Sequence, residues 1–253
     1  MRGKLSVFIS IWLCLFSAIA CAANQTALRY DPSGSDGWYP YYISSSPPTG
    51  IAAETIQKIL ETAKITGEYI DLPPKRTLLA LEQGEIDFDL ISPAWLPNKY
   101  DSDQYVFSAP ILRIREHIIY LHGTPPPSTP ELAERRPVFG TIRGYYYHDE
   151  ALFQRMDFGS ERAIIRALAK GRIQYAISGD LPALYWAKRL NVNIELGTIH
   201  SDDYLVMRLR AEHQNLLKEI NIAIAFLKQN EEIATIINKY TKHSNLDNAI
   251  GTY

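Results

Sequence analysis

The sequence predicts an α/β fold in which helices cross over a parallel sheet. Segments with apolar residues at helical spacing alternate with short β-rich segments along most of the chain. The 253 residues are 46% hydrophobic and 11% aromatic, which suits a globular protein of one large domain or two lobes. The formal net charge of -2 disfavours nucleic acid or an anionic membrane surface as a partner.

The first part of the chain predicts the order strand, helix, strand, helix, strand. This order is typical of a parallel sheet with helical crossovers. The predicted elements are a strand ending at the aromatic cluster 38–42, a helix from Ile51 that Gly67 ends, a strand at 69–72, a helix over 73–83 that Gly84 ends, and a strand at 86–91.

The second part continues the alternation after a β-rich segment, 111–121, which is long enough to cross between two lobes. The Pro-dense stretch 123–130 is interpreted as a surface loop. The remaining predicted elements are a strand at 137–142, a helix that Ser160 caps and Gly171 ends, a strand at 173–178, a helix over 180–190, strands at 194–199 and 204–209, and helices over 212–227 and 231–240.

The N-terminus has the pattern of a secretory signal peptide. Arg2 and Lys4 precede a nearly apolar run over 5–20, and small residues follow. We expect residues 1–23 to be removed, with cleavage near Ala22 or Ala23. A membrane anchor is the alternative, but the apolar run is shorter than the roughly 20 residues that a spanning helix needs.

Both cysteines, Cys14 and Cys21, lie in this N-terminal segment. A mature chain that begins after Cys21 has no thiol, and therefore no disulfide and no cysteine nucleophile. Lipid attachment at Cys21 is a further alternative, although the residues before it lack the leucine usual in lipoprotein signals.

Several motifs share their order and spacing with one protein family. The motifs are Tyr39-Pro40-Tyr41-Tyr42, Gly50-Ile51, Gly84-Glu85-Ile86-Asp87, the loop 94–99 in place of TxTPER, Phe107-Ser108-Ala109-Pro110, a segment over 171–180 with Gln174 in place of an aspartate, and Lys239-Tyr240. Together they resemble the family 3 extracellular solute-binding proteins, which are periplasmic receptors of polar amino-acid uptake systems.

The resemblance implies a two-lobed, type II periplasmic-binding-protein-like α/β fold with two crossover strands as hinge. Lobe 1 would comprise residues 24–111 and 204–253, and lobe 2 residues 112–203. A monomer in the periplasm would capture a small polar ligand, such as an amino acid, for a membrane ABC permease. A dehydratase-like enzyme on the same fold and a soluble ligand-sensing component for a signalling partner are the alternatives.

Three charged residues are candidates for binding by this resemblance. Lys99 occupies the position of an arginine that holds a ligand carboxylate, but lysine lacks the planar two-pronged hydrogen bond, and a solvated loop lysine is an equal interpretation. Asp180 matches the carboxylate that meets the ligand's amino group, and it also suits a helix cap. Arg143 is an alternative carboxylate clamp or a surface arginine.

Five further candidates are aromatic or small. Tyr39 and Tyr42 match positions that flank the ligand, with core packing as the alternative. Ser92 and Ala94 lie where the family offers backbone and hydroxyl contacts, although alanine replaces a threonine. Tyr145 takes the place of the threonine in the family's RGT motif.

Other ionisable residues are left with open roles. Asp87 matches a structural position of the family, whereas no role is predicted for Asp89. Arg113 and Arg115 share one face of the crossover strand and are interpreted as hinge charges or cleft charges.

The histidine pattern gives no metal motif. His117 and His122 are predicted to face opposite sides of a strand, and the sequence has no HExxH, GxSxG or Walker motif. We therefore predict no catalytic residue, no metal and no cofactor.

Overall fold

The computed structural model of the protein describes residues 27–32, 38–43, 45, 47–96, 103–127 and 135–242. The predicted signal peptide and Lys99 lie outside the described residues. The strands are β1 (Leu28–Asp31), β2 (Gly67–Tyr69), β3 (Phe88–Ile91), β4 (Tyr105–Phe107), β5 (Leu112–Leu121), β6 (Val138–Ile142), β7 (Gln154–Phe158), β8 (Tyr175–Gly179) and β9 (Ile194–Arg210). The helices are α1 (Ile51–Ala63), α2 (Pro74–Gln83), α3 (Glu161–Ala169), α4 (Asp180–Leu190), α5 (Leu217–Gln229) and α6 (Glu232–Thr241).

The strands form one mixed sheet in the order β2-β1-β3-β9-β5-β8-β6-β7, with β4 paired to β9. The pairs of β1 with β2 and β3, and of β6 with β7 and β8, are parallel as predicted. The long strands β5 and β9 run antiparallel to each other and to their neighbours. They join a first half (β1–β4 with α1, α2, α5 and α6) to a second half (β6–β8 with α3 and α4).

Strand β9 corrects one prediction. We expected two strands, at 194–199 and 204–209, but the residues form one strand of 17 residues. The polar segment 200–203 resembles a turn in sequence. It stays extended because it pairs with β5 and because Arg113 of β5 donates two hydrogen bonds to Asp202.

The pairing of β5 with β9 shifts register twice. Glu116 lies opposite Ser201, whereas the next residue, His117, lies opposite Ile199, so His200 is an extra residue of β9. A second shift follows within the next two residues of β5. Such bulges redirect side chains locally, and these two lie where the strands pass between the halves.

Helix α1 has the predicted apolar face, and its buried residues pack against α5 and α6. The prediction that Gly67 ends this helix is wrong. The helix ends at Ala63, and Lys64 follows with φ of 59°. Gly67 lies in β2, where a Cβ would come within 2.5 Å of the Leu60 Cδ1 atom. Close packing between β2 and α1 therefore explains this glycine.

The first strand also differs from its prediction, because β1 lies earlier in the chain and the aromatic cluster 38–42 follows it as a turn. The Tyr41 amide donates to the Trp38 carbonyl at 2.8 Å. The rings of these two residues stack at 4.7 Å and are buried. Burial of the aromatic rings, rather than strand pairing, accounts for the cluster.

The second half follows the prediction for α3. The Ser160 hydroxyl accepts a hydrogen bond from the Ala163 amide at 3.3 Å, which confirms the predicted cap. The predicted apolar residues Ile164, Ile165 and Leu168 are buried. Strands β4 and β7 were not predicted. Among the described residues, no helix combines the length and apolar character needed to span a membrane.

Candidate functional site

Side chains of both halves meet beside the long strands at Trp95, which ends a short 3-10 turn after β3. The Trp95 ring stacks on Tyr145 of the second half, with centroids 6.3 Å apart and planes 21° apart. Its indole nitrogen donates to the Glu116 carboxylate of β5 at 3.0 Å. Glu116 also accepts from the Ser201 hydroxyl of β9 at 2.7 Å. This one carboxylate therefore links the first half to both crossing strands.

A second aromatic contact joins the halves. Tyr39, in the turn after β1, stacks on Tyr185 of α4 with ring centroids 3.7 Å apart. Burial raises the pKa of the Tyr39 phenol, and the neighbouring Tyr185 adds to that rise. Tyr39 and Tyr145, both predicted from the resemblance, thus lie on opposite halves and each contacts an aromatic residue across the division.

A cavity of about 420 Å³ lies between the halves next to Trp95. Aromatic faces can pack on an aliphatic chain or attract a cation, and the Glu82 and Glu116 carboxylates add negative charge. A small polar molecule with an aliphatic or cationic part fits this lining. The lining residues are Thr77, Leu78, Glu82, Asp89, Leu90, Ile91, Trp95, Leu96, Glu116, Gly144, Tyr145, Tyr146 and Arg208.

Asp89, which had no predicted role, forms a buried ion pair at the wall of this cavity. It lies directly opposite Arg208 in the β3–β9 ladder. The Arg208 Nε atom donates to Asp89 Oδ1 at 2.8 Å, and the Nη2 atom donates to Oδ2. Each residue is 1% exposed. Because the two opposite charges compensate each other, both side chains can be buried between β3 and β9.

Ser92 and Ala94 lie on the first half beside β9, but their polar groups are already used within the protein. The Ser92 hydroxyl, which is buried, donates to the Asp203 carboxylate at 3.1 Å. The Ala94 amide donates to the same carboxylate at 3.0 Å. These bonds fix the start of the 3-10 turn and so hold Trp95 in position.

Tyr42 lies apart from the contacts between the halves. Its ring is buried in the hydrophobic cluster of the first half. Its hydroxyl contacts the Tyr69 hydroxyl of β2. The structure therefore places Tyr42 at the β2 side of the core, which corresponds to the packing interpretation of this residue.

Asp180 is the first residue of α4, and its carboxylate is 1% exposed. The residue before it, Gly179, occupies the cap position, so the interpretation of Asp180 as the N-cap is wrong. Arg115 of β5 lies with its Nε atom 3.5 Å from the Asp180 carboxylate. Asp180 also accepts from the Leu181 amide at 2.7 Å. The carboxylate thus ties α4 to a crossing strand.

The two predicted carboxylate clamps differ in what the structure describes. Arg143 follows β6 and is exposed, and it does not line the cavity beside Trp95. Lys99 lies outside the described residues, so its prediction stays a prediction. Arg113 is bound to Asp202 across β5 and β9 at 2.7 and 2.8 Å, so it joins the two crossing strands and does not line the cavity beside Trp95.

A polar cluster lies behind Glu116. The His200 Nε2 atom is 2.7 Å from the Asp149 carboxylate, and the Nδ1 atom is 3.8 Å from the Glu116 carboxylate. Burial by itself lowers the pKa of His200, but the two carboxylates outweigh burial and raise it to about 9. The His148 ring lies next to it, with ring centroids 4.6 Å apart.

Sequence reasoning missed Glu116, Arg208 and Tyr185 as members of the site. Arg208 had a signal that was available, because it is a charged residue within the apolar segment 205–209. Such a residue needs a buried partner. Glu116 had no such signal, because it stands between Arg115 and His117. Tyr185 has no comparable signal, since a half-buried helical tyrosine is common.

A model of the bacterial extracellular solute-binding proteins, family 3, matches residues 33–243 of the chain. This range includes all the contacts between the halves described above. No curated protein matches the chain significantly.

Solved structures give the same picture of the fold. An ancestral arginine-binding protein bound to glutamine is 18% identical, with a TM-score of 0.67 over 85% of this chain and 97% of its own. The GluR0 ligand-binding core in complex with L-glutamate is 17% identical, with a TM-score of 0.71 over 86% and 99%. A histidine kinase sensor domain with similarity to periplasmic binding proteins is 19% identical, with a TM-score of 0.69 over 85% and 96%.

At these identities the likenesses establish the fold alone. They confirm the predicted two-lobed α/β fold of type II periplasmic binding proteins.

Proposed function

Because the chain belongs to family 3 of the bacterial extracellular solute-binding proteins, we propose that it captures a small polar solute for an ABC-type uptake system. The ligand is an amino acid or a related compound. It binds without turnover in the cleft between the lobes and passes to a membrane permease, with the receptor acting as a monomer.

We assign residues 24–111 and 204–253 to lobe 1 and residues 112–203 to lobe 2. The strands β5 and β9 form the hinge, because they alone among the described elements run through both halves of the sheet. Closure over a ligand is a rotation of one lobe against the other about these strands.

One observation carries the proposal. Trp95 of the first half contacts Tyr145 of the second half and Glu116 of the crossing strand. A molecule between the lobes would therefore contact aromatic rings of both lobes and the Glu116 carboxylate. The distances between these groups change as the lobes move. Such differential contact is what couples binding to closure.

The proposed ligand chemistry rests on the aromatic residues where the halves meet and on charged residues predicted from the resemblance. Tyr39, Trp95 and Tyr145 offer faces for the aliphatic or cationic part of the ligand. We propose Lys99 and Arg143 as partners of a carboxylate and Asp180 as partner of an ammonium group. Ser92 and Ala94 act indirectly, by holding the turn that carries Trp95.

The test is a thermal-shift screen of the purified protein against amino acids, polyamines, organic acids and oligopeptides. A ligand that binds only the native state raises the unfolding midpoint according to its concentration over Kd. We expect a shift with an amino acid or related compound that Trp95→Ala abolishes. Tyr204→Ala is the matched control, because Tyr204 is an exposed aromatic residue of β9 outside the cavity. Equal shifts in both variants would contradict the assigned cleft.

A soluble sensor for a signalling partner is the second candidate. The likeness to a histidine kinase sensor domain favours it. Uptake of the ligand found in the screen separates the candidates. Deletion of the gene abolishes uptake if the protein serves a transporter, whereas unchanged uptake with an altered transcriptional response to the ligand supports the sensor.

We also propose export to the periplasm, with loss of the signal peptide 1–23. N-terminal sequencing of the protein from the periplasmic fraction checks this. A first residue at 23 or 24 supports cleavage near Ala22 or Ala23. A blocked Cys21 that incorporates labelled palmitate would instead show a lipid anchor.

A further inference from the structure

We propose that His148, Asp149 and His200 form a binding site for a divalent transition-metal ion of the Zn²⁺ class. Each residue offers one ligand atom, and the three atoms lie within 4.8 Å of one another. Two imidazoles and one carboxylate are a donor set that Zn²⁺ accepts, with the fourth position left to water. The three proposed ligands lie outside the cavity beside Trp95, although Glu116 borders both that cavity and His200.

The distances suit an ion after a small adjustment. The His200 Nε2 atom lies 2.7 Å from Asp149 Oδ1, and the His148 ring lies beside the His200 ring at 4.6 Å between centroids. Ligand atoms bound tetrahedrally at about 2.0–2.1 Å from a metal are about 3.3 Å apart. Because His148 is exposed, a rotation of its ring can complete the site.

The surroundings of the His200 ring suit a metal ligand that binds through Nε2. The His200 side chain is 3% exposed, and its Nδ1 atom has no hydrogen-bond partner among the described residues. That nitrogen faces the Glu116 carboxylate at 3.8 Å. Histidines that bind metals usually direct their other ring nitrogen to a carboxylate, which orients the ring. Glu116 is itself held by Trp95 and Ser201.

The backbone supports the same arrangement. His200 is the extra residue at the first register shift of β9, and bulges redirect side chains beside functional sites. Asp149 and His148 lie in the loop after β6, with Asp149 27% exposed at its side chain. The site is therefore open on the His148 side and closed behind His200. A bound ion would fasten the crossing strand to the second lobe.

A similar cluster elsewhere is less suited. Asp87, Glu212 and His213 also lie close enough to share an ion. Asp87, however, accepts three hydrogen bonds from Arg29, and the guanidinium already compensates its charge. His213 therefore serves as a control position.

The test is calorimetric titration of the untagged, chelator-treated protein with Zn²⁺. Because Zn²⁺ must displace any proton on a ligand imidazole, binding strengthens as the pH rises, and the titration is run at pH 8 rather than pH 7. We expect one equivalent to bind and His148→Ala to weaken binding at least about tenfold, in line with losses seen on disturbing a metal site. His122→Ala is the matched control, because His122 is also exposed and bonded to an acidic residue, Glu195.

Cobalt gives an independent readout. Co²⁺ in a four-coordinate nitrogen and oxygen site absorbs visible light strongly, and His148→Ala should remove that absorption while the protein stays folded. Glu116→Gln tests the positioning role of that carboxylate and is expected to weaken Zn²⁺ binding about 10- to 100-fold.

Three results would overturn the proposal. They are the absence of saturable Zn²⁺ binding, affinity that His148→Ala does not change, and binding that His213→Ala abolishes. In the first case His200 is a buried imidazolium held by two carboxylates and has no metal role.

Discussion

Two arginine–aspartate pairs on strand β9 show how the same bond differs between two regions. Asp89 and Arg208 lie in the first half, and their side chains are each 2% exposed. Arg113 and Asp202 join β5 to β9, and their side chains are 33% and 31% exposed. Both pairs join β9 to a neighbouring strand through two hydrogen bonds. Only the buried pair is shielded from solvent.

The difference shows which end of β9 is anchored. Breaking a buried pair leaves a charge without compensation, whereas a partly exposed pair exchanges its partner for water. The end of β9 in the first half is therefore held in one geometry. In the proposed closure of the lobes, the exposed pair can separate and re-form with little change in free energy.

The largest expected effect comes from breaking the buried pair. Arg208→Leu removes the guanidinium that compensates the buried Asp89 charge and should lower the free energy of unfolding by about 3–5 kcal/mol, measured by urea denaturation. The double variant Arg208→Leu with Asp89→Leu should recover most of that loss, because no buried charge then remains. Equal losses in the single and double variants would mean that packing, rather than the unpaired charge, determines the result.

Asp87 tests an intermediate case, because its side chain is 8% exposed while that of its partner Arg29 is 38% exposed. Asp87→Asn should lower the free energy of unfolding at pH 7 by about 1–3 kcal/mol through loss of charged hydrogen bonds. Glu82→Gln, on the same lobe but without a described salt bridge, is the control.

The pH dependence of Asp87 has a definite sign. Burial raises the pKa of this carboxyl, but the hydrogen bonds from Arg29 outweigh burial and hold it below the ordinary value of 3.8. A lowered pKa stabilises the folded state above pH 3.8, and this stabilisation is lost as the pH falls through the folded value. Urea denaturation between pH 7 and 2 should show a smaller acid-induced loss of unfolding free energy for Asp87→Asn than for the parent protein. An equal loss in both proteins would refute the assignment.

The hinge pair should contribute less. Arg113→Ala is expected to lower the free energy of unfolding by about 0–1 kcal/mol, and added salt should reduce the difference further. The same urea measurements as for Arg208→Leu check this. A loss equal to that of Arg208→Leu would remove the distinction between the two regions.

The smallest effect is expected for Asp202. Hydrogen bonding to Arg113 is the main cause that lowers the pKa of Asp202 below its ordinary value. The sign is that of Asp87, so acid removes the stabilisation, but solvent screens this exposed carboxylate. At acid pH, the unfolding free energy of Asp202→Asn should thus differ from that of the parent protein less than the unfolding free energy of Asp87→Asn does. A larger difference would show that the hinge charges are more isolated from water than the structure indicates.

What the sequence predicts well is local. The spacing of apolar residues along α1 and the serine before α3 determine those helices with little help from distant residues. The order and spacing of the aromatic and glycine motifs were also sufficient to predict the two-lobed fold. Of the predicted site residues, Tyr39 and Tyr145 lie where the halves meet, and their role in binding stays a prediction.

What the sequence does not reveal depends on partners far away in the chain. The role of Asp89 becomes clear only with Arg208, 119 residues later. The polar residues 200–203 look like a turn until their pairing with β5 is known. The cluster around His200 likewise joins residues from two elements whose separation in sequence gives no motif.

The two register shifts of β9 limit which insertions and deletions this strand can tolerate. Between the pairs Glu116–Ser201 and Leu121–Ile194, β9 spans two residues more than β5. One extra residue exchanges the two faces of a strand, and the second restores them. Loss of a single residue here would turn the buried side chains of one lobe outward, whereas loss of both would preserve the faces. Insertions and deletions at this crossing should therefore be inherited in pairs among related chains.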